Sequence, residues 1–225
     1  MKRVAVVGGT GDLGFGLALR LAKAGYSVVI GSRVAEKAVK AAGEARRMLG
    51  GGVDTAGEEN SRAVAGAEVV ILSIPFQGVE GIVNSVKESL RTGSVVVSCI
   101  VPFNTHVEGF SSAAEYVSSL LRGKDVNVVA AYHTVSAEKL RDVAKPVGCD
   151  AIILGDDEEA KRTVAELTYG IEGLRPVDGG PLKNASIVEN ITALLISINK
   201  KYKIKDAGIR VTGLEDDEVR RRWME

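Results

Sequence analysis

The feature that most constrains the fold is a glycine-rich segment that directly follows a short apolar run. The β-branched run Arg3–Val7 leads through Gly8-Gly9-Thr10-Gly11-Asp12-Leu13-Gly14 into an amphipathic stretch. Glycines in such a turn let the backbone approach a phosphate, and the following helix offers unpaired N–H groups and a positive dipole end. A strand, a loop and a helix in this order predict a dinucleotide-binding site. Its expected cofactor-binding residues are Gly9, Thr10, Gly11, Asp12, Leu13 and Gly14.

Short apolar runs alternate with longer helical patterns along most of the chain. The expected strands are Arg3–Val7, Ser27–Ile30, Glu68–Ile74, Ser94–Ser98, Val126–Ala131, Ala151–Leu154 and Leu174–Asp178. The expected helices are Asp12–Ala24, Ala35–Leu49, Val79–Leu90, Ser112–Leu121 and Glu158–Tyr169. Continuous apolar runs are typical of parallel strands that are covered on both faces. We therefore expect the α/β class, with a doubly wound, mainly parallel sheet of the NAD(P)-binding Rossmann type.

The pattern changes after Asp178, and we expect two parts in the chain. Residues 1–178 form the dinucleotide-binding Rossmann domain, and residues 179–225 form a C-terminal helical segment. Pro181–Tyr202 is one long helical pattern whose apolar face is predicted to carry Ile187, Ile191, Leu194, Leu195 and Ile198. This helix either packs on the core, closes the pocket or forms a homodimer interface. The charge-dense tail, Glu215–Glu225, predicts a solvated end.

Composition limits the classes of function. The 29 basic residues equal the 29 acidic residues in number, which argues against a nucleic-acid partner. The start of the chain lacks the longer apolar segment of a signal peptide, and no uncharged stretch could span a bilayer, so we expect no membrane partner. Cys99 and Cys149 lie in apolar runs without metal-ligand or redox spacing, which favours a reducing compartment and no metal site. We expect a cytoplasmic protein whose partners are small-molecule cofactors.

The end of the second predicted strand distinguishes between the two nicotinamide dinucleotides. NAD-binding folds commonly place Asp or Glu about 20 residues past the glycine loop, where it accepts hydrogen bonds from the ribose hydroxyls. This chain has Gly31-Ser32-Arg33 at that point. Ser32 can donate one hydrogen bond and Arg33 a forked pair to a 2′-phosphate, with Thr10 and Lys37 as further donors. The pattern predicts NADP(H); the alternative is that Arg33 is a solvated turn residue.

Further motifs, in chain order, resemble one family. They are Gly8–Gly14, Leu17–Ala22, Gly31-Ser32-Arg33, Glu36-Lys37-Ala38, Ile74-Pro75, Val101-Pro102, His133-Thr134, Gly155-Asp156-Asp157, Gly173-Leu174-Arg175-Pro176 and Gly180-Pro181-Leu182-x-Asn184. In them the chain resembles the archaeal coenzyme F-420-dependent NADP oxidoreductases, also called NADPH-dependent F-420 reductases. The resemblance implies an enzyme that transfers a hydride reversibly between NADP(H) and coenzyme F-420, an 8-hydroxy-5-deazaflavin. Together with the apolar long helix, it also suggests a homodimer.

The resemblance implies where the two rings lie. Ile74, Pro75 and Val101 would wall the nicotinamide, and the segment from His133 to Ala137 would line the shared pocket, with Thr134, Val135 and Ala137 as cofactor contacts. Hydride transfer between two rings needs close approach and exclusion of water, and no catalytic triad. We expect His133 at the carboxyl edge of a strand, where it either hydrogen-bonds a ring carbonyl as a catalytic, ring-positioning residue or is a structural histidine bonded to a backbone carbonyl.

Three stretches near the expected pocket differ from the family pattern, namely Phe76-Gln77-Gly78, Phe103-Asn104 and Ser136. They keep two alternatives open. One is an NADPH-dependent reductase of another acceptor, an imine, a flavin or a carbonyl compound, which a proton-donating Asp, Lys or Tyr beside the nicotinamide would favour. The other is a non-catalytic NADPH-binding sensor module, in which side chains such as Phe76 and Phe103 would fill the pocket.

Overall fold

The computed structural model describes residues 2–103, 105, 107 and 109–224. Its strands are β1 (Arg3–Val7), β2 (Ser27–Ser32), β3 (Thr55–Glu59), β4 (Val69–Leu72), β5 (Ser94–Ser98), β6 (Val126–Ala130), β7 (Cys149–Gly155) and β8 (Leu174–Gly180). Its α-helices are α1 (Asp12–Lys23), α2 (Ala35–Met48), α3 (Asn60–Val64), α4 (Val79–Val86), α5 (Ala113–Leu120), α6 (Ala137–Arg141), α7 (Glu158–Tyr169), α8 (Ala185–Tyr202) and α9 (Asp216–Met224). Short 3-10 turns cover Phe76–Gly78, Lys87–Ser89 and Leu182–Asn184.

The strands form one sheet in the order β3-β2-β1-β4-β5-β6-β7-β8. The first six strands pair in parallel, whereas β7 is antiparallel to β6 and β8 is parallel to β7. The carboxyl ends of β1 to β6 therefore share one edge, and β7 and β8 end at the opposite edge. The order reverses between β1 and β4, and ligands of open α/β sheets bind at such a switch point. The predicted fold class, a doubly wound and mainly parallel sheet, is confirmed.

Both faces of the sheet are covered, which explains the continuous apolar runs. In β1, Val4 and Val6 pack with residues of α1, α2 and α7, while Ala5 and Val7 pack with residues of α3, α4, α5 and α8. All four side chains are fully buried. Each strand of this kind must be apolar at every position rather than at alternate ones.

The sequence-based bounds agree with the structure for most elements, and β1, β5 and α7 begin and end where predicted. Four elements were not predicted, namely β3, α3, α6 and α9. In β3 the sequence Thr-Ala-Gly-Glu-Glu carries no apolar run, because this strand lies at the edge of the sheet. A Cβ at Gly57 would lie 2.2 Å from the backbone carbon of Ala38, so the close packing of α2 on β3 requires glycine there. The same glycine interrupts the apolar pattern by which a strand is recognised.

The C-terminal tail is largely exposed, as predicted, but it is also folded and packed on the sheet, which was not predicted. Residues 216–224 form α9, in which Val219 and Trp223 are 3% and 6% exposed. The indole Nε1 of Trp223 donates to the carbonyl oxygen of Pro176 in β8 at 3.0 Å. Two apolar residues four positions apart lie on one helix face, so they bury that face although the rest of the segment is charged.

The predicted apolar face of the long helix divides into two. Leu195 is 9% exposed and packs inward, whereas Ile187 and Leu194 are 58% and 59% exposed. Successive residues of an α-helix are about 100° apart, so Ile187 and Leu194 lie on nearly the same face. Leu195 lies about a quarter turn away from them, on the face of Val188, which is also buried. Among the described residues, no helix combines the length and the apolar character needed to cross a membrane.

Candidate functional site

The glycine-rich loop joins β1 to α1 at the switch point of the sheet. Gly8 has φ +76°, and a Cβ there would lie 2.2 Å from the carbonyl oxygen of Ser73. A Cβ at Gly14 would lie 2.7 Å from the carbonyl oxygen of Gly8. A side chain at either position would push the loop away from β4 or from α1, so these glycines are required for the tight turn.

Gly11 differs from these glycines, because its surroundings are open. The nearest atom to a Cβ there is the Gly8 carbonyl oxygen at 3.4 Å. Gly11 is the N-cap of α1, and no side chain caps this helix. The N–H groups of the first turn, together with the positive end of a 12-residue helix, therefore form an anion-binding position next to open space.

The predicted 2′-phosphate donors lie beside this loop. The amide of Gly9 donates to the carbonyl oxygen of Gly31 at 3.2 Å, which holds the loop against the end of β2. Arg33 is exposed in the turn before α2, and Lys37 is exposed in the first turn of that helix. Ser32 is 8% exposed, and its hydroxyl accepts a hydrogen bond from Val34 N at 3.2 Å, which leaves the hydroxyl proton for another acceptor.

The acid that lies beside Ser32 in the sheet already accepts hydrogen bonds from another residue. Glu59 of β3 is the register partner of Ser32. Its carboxylate accepts from the amide of Ser61 at 3.0 Å and from the Ser61 hydroxyl at 2.5 Å, and so caps α3. It is thereby committed to the start of a helix rather than to a ribose hydroxyl.

A cleft of about 830 Å³ runs from the glycine-rich loop along the carboxyl edge to the inner face of α8. This volume lies in the range of small-molecule sites. The predicted residues that line it are Gly11, Asp12, Leu13, Ile74, Pro75, Val101, His133, Thr134, Val135 and Ala137. The other predicted residues, Gly9, Thr10, Gly14, Ser32, Arg33 and Lys37, do not line the cleft; they build the loop or lie beside it at the end of β2 and the start of α2.

The far part of the cleft is an apolar chamber. Phe76 and Phe103 form part of its wall, and α8 contributes Leu195 and Ile196. Phe103 is 47% exposed, and the ring of Phe76 lies 6.1 Å from that of Tyr116, tilted against it. The two phenylalanines border the open volume and do not fill it, contrary to what the sensor alternative requires. Asn104, which together with Phe103 differs from the family pattern, lies outside the described residues.

His133 follows β6 at the carboxyl edge, as expected, and is 5% exposed. Its Nε2 lies 3.3 Å from the carbonyl oxygen of Ile100. Because a carbonyl only accepts, Nε2 carries the proton, and Nδ1 is a buried acceptor without a partner among the described residues. Burial lowers the pKa of His133 to about 4. In this tautomer the neutral ring has no second proton for a ring carbonyl, and the bond to the backbone carbonyl of Ile100 supports the structural interpretation.

The segment that carries His133 is held from two sides. Thr192 of α8 donates to the carbonyl oxygen of His133 at 2.9 Å, and the hydroxyl of Thr134 donates to the carbonyl oxygen of Asp150 at 2.9 Å. The preceding Tyr132 has a left-handed backbone with φ 68°, which is uncommon for a residue with a large side chain. Its hydroxyl lies 3.0 Å from the hydroxyl oxygen of buried Thr168, which fixes the turn. Sequence reasoning missed Tyr132, since a left-handed tyrosine has no local signature.

A second wall of the cleft, α6, depends on a buried arginine. Arg20 is 2% exposed, and it donates to the carbonyl oxygens of Leu140 at 2.9 Å, Lys139 at 2.7 Å and Asp142 at 2.6 Å. These carbonyls lie at the C-terminal end of α6, which has no intrahelical donors for them. An arginine inside the apolar pattern Leu17–Ala22 signals a buried polar partner, although the sequence does not say which.

The α8–α9 segment, residues 203–215, forms the third wall with Lys205 and Ala207. Ser136 donates to the carbonyl oxygen of Lys205 at 3.0 Å while it caps α6. Deeper in the fold, Asp150 is fully buried, is paired bidentately with Arg175, and accepts from Val211 N at 2.7 Å. Arg175 of the family-like motif therefore holds this segment on the sheet.

The remaining motifs lie at the opposite edge, where β7 and β8 end. Asp157 caps α7 by accepting from Ala160 N at 2.8 Å. Asp156 accepts from the amide of Leu182 at 2.9 Å, and Asn184 donates to the carbonyl oxygen of Gly179 at 3.2 Å. These residues close the turn into α8 and do not line the cleft.

Comparison with known proteins gives a consistent result. A family model described as "NADP oxidoreductase coenzyme F420-dependent" matches residues 3–102. The chain is similar to the "F420-dependent NADP reductase" of Methanocaldococcus jannaschii, with 43% identity over 225 residues, 95% of this chain and 99% of that protein. It is also similar to the protein of the same name from Methanothermobacter thermautotrophicus, with 39% identity over 97% of this chain and 98% of that protein.

Among solved structures, a protein from an Arthrobacter species superimposes with a TM-score of 0.78 over 94% of this chain and 99% of that chain. The two sequences are 20% identical. At this identity the likeness supports the fold alone.

Proposed function

Since the chain belongs to the family of coenzyme F-420-dependent NADP oxidoreductases, we propose that a hydride passes between NADP(H) and F-420 in the cleft at the carboxyl edge of the sheet. The protein is an NADPH-dependent F-420 reductase, and it uses NADP(H) and F-420. The two cofactors supply the hydride chemistry. The chain binds the rings, orients them and excludes water.

The observation that carries this proposal is the continuity of the cleft. One open volume of about 830 Å³ joins the N-terminus of α1 to the apolar chamber under α8. A dinucleotide with its phosphates on α1 would direct its nicotinamide into that chamber, as ligands of doubly wound sheets do. The chamber then has space for a second flat ring against the first.

The adenosine end of NADP(H) would lie beside the end of β2. In this proposal Ser32, Arg33, Thr10 and Lys37 hold the 2′-phosphate, since all are at the surface or in the turn where a phosphate could reach them. The amides that follow Gly11 hold the diphosphate. Glu59, the register partner of Ser32, caps α3 and is therefore not available to the ribose.

The ring end of the cleft would be shaped by three short segments. Ile74, Pro75 and Val101 would wall the nicotinamide, and Thr134, Val135 and Ala137 would line the shared pocket. The unpartnered Nδ1 of His133 would accept a hydrogen bond from a ring or carboxamide N–H. The neutral His133 then positions a ring and transfers no proton.

The alternative acceptors, an imine or a carbonyl compound, require a proton donor beside the nicotinamide. Of the ionisable side chains that line the cleft, Asp12 is paired with Arg141 at 2.8 Å at the glycine-rich loop. Tyr132 has its hydroxyl bonded to Thr168, and burial raises its pKa. Lys205 also lines the cleft, so the choice of transfer between two rings rests on the family to which the chain belongs and not on the lining.

We also propose how the chain is divided and assembled. Residues 1–178 would bind the dinucleotide, and the segment from residue 179 onward would close the pocket with the inner face of α8 and form a homodimer with its outer face. The exposure of Ile187 and Leu194 supports the second role. A cytoplasmic location is part of the same proposal, and it agrees with two free, buried cysteines.

The direct test is anaerobic mixing of the protein with NADPH and F-420, followed by the visible absorbance band of the deazaflavin. We expect bleaching that needs NADPH, is much weaker with NADH, and depends on Arg33. Replacement Arg33→Ala removes a charge-assisted contact, so we expect roughly 10- to 100-fold weaker use of NADPH. Lys40→Ala, an exposed change one turn beyond Lys37 in α2, is the matched control. Tight NADPH binding without bleaching would contradict the proposal.

A further inference from the structure

We infer that Arg141, at the end of α6, binds the diphosphate of the dinucleotide together with the N-terminus of α1. The inference rests on the proposed function of the cleft and extends it to a residue outside the glycine-rich loop. It names a cation that no sequence motif indicates, since Arg141 belongs to a helix that sequence reasoning did not predict.

The position of Arg141 is set by two residues of α1. Its Nη1 lies 2.8 Å from Oδ1 of Asp12, and Cζ of its guanidinium lies 5.4 Å from the centre of the Phe15 ring. Arg141 lines the same cleft as Gly11, Asp12 and Leu13. The guanidinium therefore lies at the first turn of α1, on the wall of the cleft that Gly11 also lines.

Arg141 has donors for a second anion in addition to the Asp12 carboxylate. Nη1 donates to Asp12, whereas Nε and Nη2 have no acceptor among the described residues. The side chain is 40% exposed, so these donors are accessible. A guanidinium presents its donors as a fork that matches phosphate oxygens, and such charge-assisted hydrogen bonds are the strong ones.

The charge balance of the site also requires a cation there. Asp12 carries a carboxylate into the first turn of α1, where it is 83% exposed. This carboxylate suits the helix dipole but repels a diphosphate that binds the same turn. Arg141 neutralises the charge of Asp12 and adds donors that Asp12 does not use. The first turn of α1 then favours an anion, although it carries a carboxylate.

Arg141 is preorganised by the packing of α6 on α1. Arg20 holds the carbonyls of Lys139 and Leu140, and a Cβ on Gly16 would lie 2.7 Å from the Cβ of Leu140. The two helices are thus in close contact beside the residue that carries the guanidinium. Little backbone entropy is therefore lost when the dinucleotide binds, which raises the affinity.

The inference predicts a phenotype that differs from that of Arg33. A 2′-phosphate is present in NADPH and absent from NADH, whereas both dinucleotides carry the diphosphate. Arg33→Ala should therefore reduce the preference for NADPH. Arg141→Ala should weaken both dinucleotides by the same factor, roughly tenfold or more, and leave the preference unchanged.

The experiment is titration calorimetry of NADPH and NADH on wild type, Arg141→Ala, Arg141→Lys and Arg33→Ala. Arg91→Ala, an exposed arginine outside the cleft lining, is the control. Adenosine 2′-monophosphate, which has no diphosphate, is titrated in parallel and should bind Arg141→Ala as it binds wild type. Arg141→Lys keeps the charge without the fork, and we expect an intermediate loss. Thermal melting of each variant shows whether the fold is kept.

A double variant distinguishes a phosphate contact from a contact that only shapes α1. If Arg141 compensates Asp12, then Asp12→Asn in the Arg141→Ala background should recover part of the lost affinity, because it removes the uncompensated repulsion. Unchanged NADPH binding in a folded Arg141→Ala protein would overturn the inference and leave the proposed function intact. A loss confined to NADPH, or to the KM for F-420, would overturn it as well. Failure of the wild type to bind NADPH would overturn the proposed function itself.

Discussion

The imidazole Nε2 of His133 lies 3.3 Å from the carbonyl oxygen of Ile100, so the chain that leaves β6 is bonded to the chain that leaves β5 at the base of the cleft. Ile100 is 1% exposed and His133 is 5% exposed. The bond uses the single proton of a neutral imidazole. His133 is therefore uncharged at neutral pH, which leaves Nδ1 as the acceptor that the proposed function uses.

We predict that His133 makes the protein less stable in acid. Its pKa is about 4 in the folded state and 6.5 in the unfolded chain. Between these values the unfolded state binds more protons, so the stabilisation is fully present above pH 6.5 and is lost as the pH falls through about 4. At about 1.4 kcal/mol for each pKa unit, the total is about 3 kcal/mol. Urea unfolding at pH 7 and at pH 4.5 measures most of this loss.

The comparison variant is His133→Gln, which can still donate to Ile100 but does not titrate. Other carboxylates titrate in both proteins, so the quantity of interest is the difference between their pH slopes. We expect the wild type to lose roughly 2 kcal/mol more than the variant between the two pH values. Equal slopes would mean that His133 is charged or accessible in the folded state. A rate of hydride transfer that changes between pH 6 and 8 with an imidazole pKa would also contradict the neutral assignment.

A second prediction separates the glycines of the loop by role. Gly8 has φ +76°, and a Cβ there would lie 2.2 Å from the Ser73 carbonyl oxygen, so Gly8→Ala should lower the free energy of unfolding by about 2 kcal/mol or more. Gly11 has φ −84°, and its nearest atom would be at 3.4 Å. Gly11→Ala should therefore fold normally and lose NADPH affinity, because its methyl group occupies the phosphate side.

Thermal melting and NADPH titration of the two variants test this assignment. The informative case is Gly11→Ala with wild-type stability. If that protein binds NADPH as the wild type does, the diphosphate does not approach the backbone at Gly11.

The sequence predicts those parts of the site that are local along the chain. The loop after β1 could be located because a strand, glycines and a helix follow one another within about a dozen residues, which is the arrangement that a phosphate site needs. The same holds for Ser32 and Arg33 at the end of β2. The continuous apolar runs of the inner strands identified the sheet for a similar reason, since burial on both faces leaves an unbroken pattern.

The parts that depend on tertiary contacts could not be predicted. Helix α6 has five residues, too few for a periodic pattern, and its place is set by Arg20, which lies 117 or more positions earlier in the chain. Lys205 and Ala207 enter the cleft because Asp150 and Arg175 hold the α8–α9 segment on the sheet. Leu195 was assigned to the wrong face of α8, since apolar residues occupy both faces and periodicity alone does not separate a pocket wall from an exposed stripe.

A third prediction concerns the contact between α1 and α6. Arg20→Met keeps the length of the side chain and removes its hydrogen bonds to Leu140, Lys139 and Asp142. Carbonyls that lose a buried partner are costly, so we expect the free energy of unfolding to fall by roughly 2–4 kcal/mol. Lys23→Met is the control in the same helix, because Lys23 makes one exposed bond to a carbonyl in this region, that of Val143.

Gly16→Ala disturbs the same contact between α1 and α6 and leaves Arg20 unchanged. Its methyl group would lie 2.7 Å from the Cβ of Leu140 and would push α6 and its pocket residue Ala137 away from α1. Both variants should change the distance between the two rings, which a primary isotope effect with deuterated NADPH reports. An isotope effect equal to that of wild type in both variants would show that α6 does not set the ring geometry.

The fourth prediction concerns the outer face of α8. Ile187 and Leu194 are exposed by 58% and 59%, and with Ile191 and Ile198 they repeat at helical spacing, which forms an apolar stripe along the helix. Such a contiguous stripe is typical of an interface. We expect a homodimer by light scattering coupled to size exclusion, and Leu194→Glu should convert it to a monomer. Val39→Glu is the matched control, since Val39 is 55% exposed on α2.

The expected dimer would also affect the pocket, because the opposite side of α8 lines the cleft. Thr192 and Leu195 contribute to the cleft, and Thr192 donates to the carbonyl oxygen of His133. Loss of the partner should loosen α8 and raise the KM for F-420 more than the Kd for NADPH, whose phosphates bind at α1. A monomeric wild type would contradict the assembly. A monomeric Leu194→Glu with unchanged kinetics would show that the inner face of α8 keeps its place without a partner.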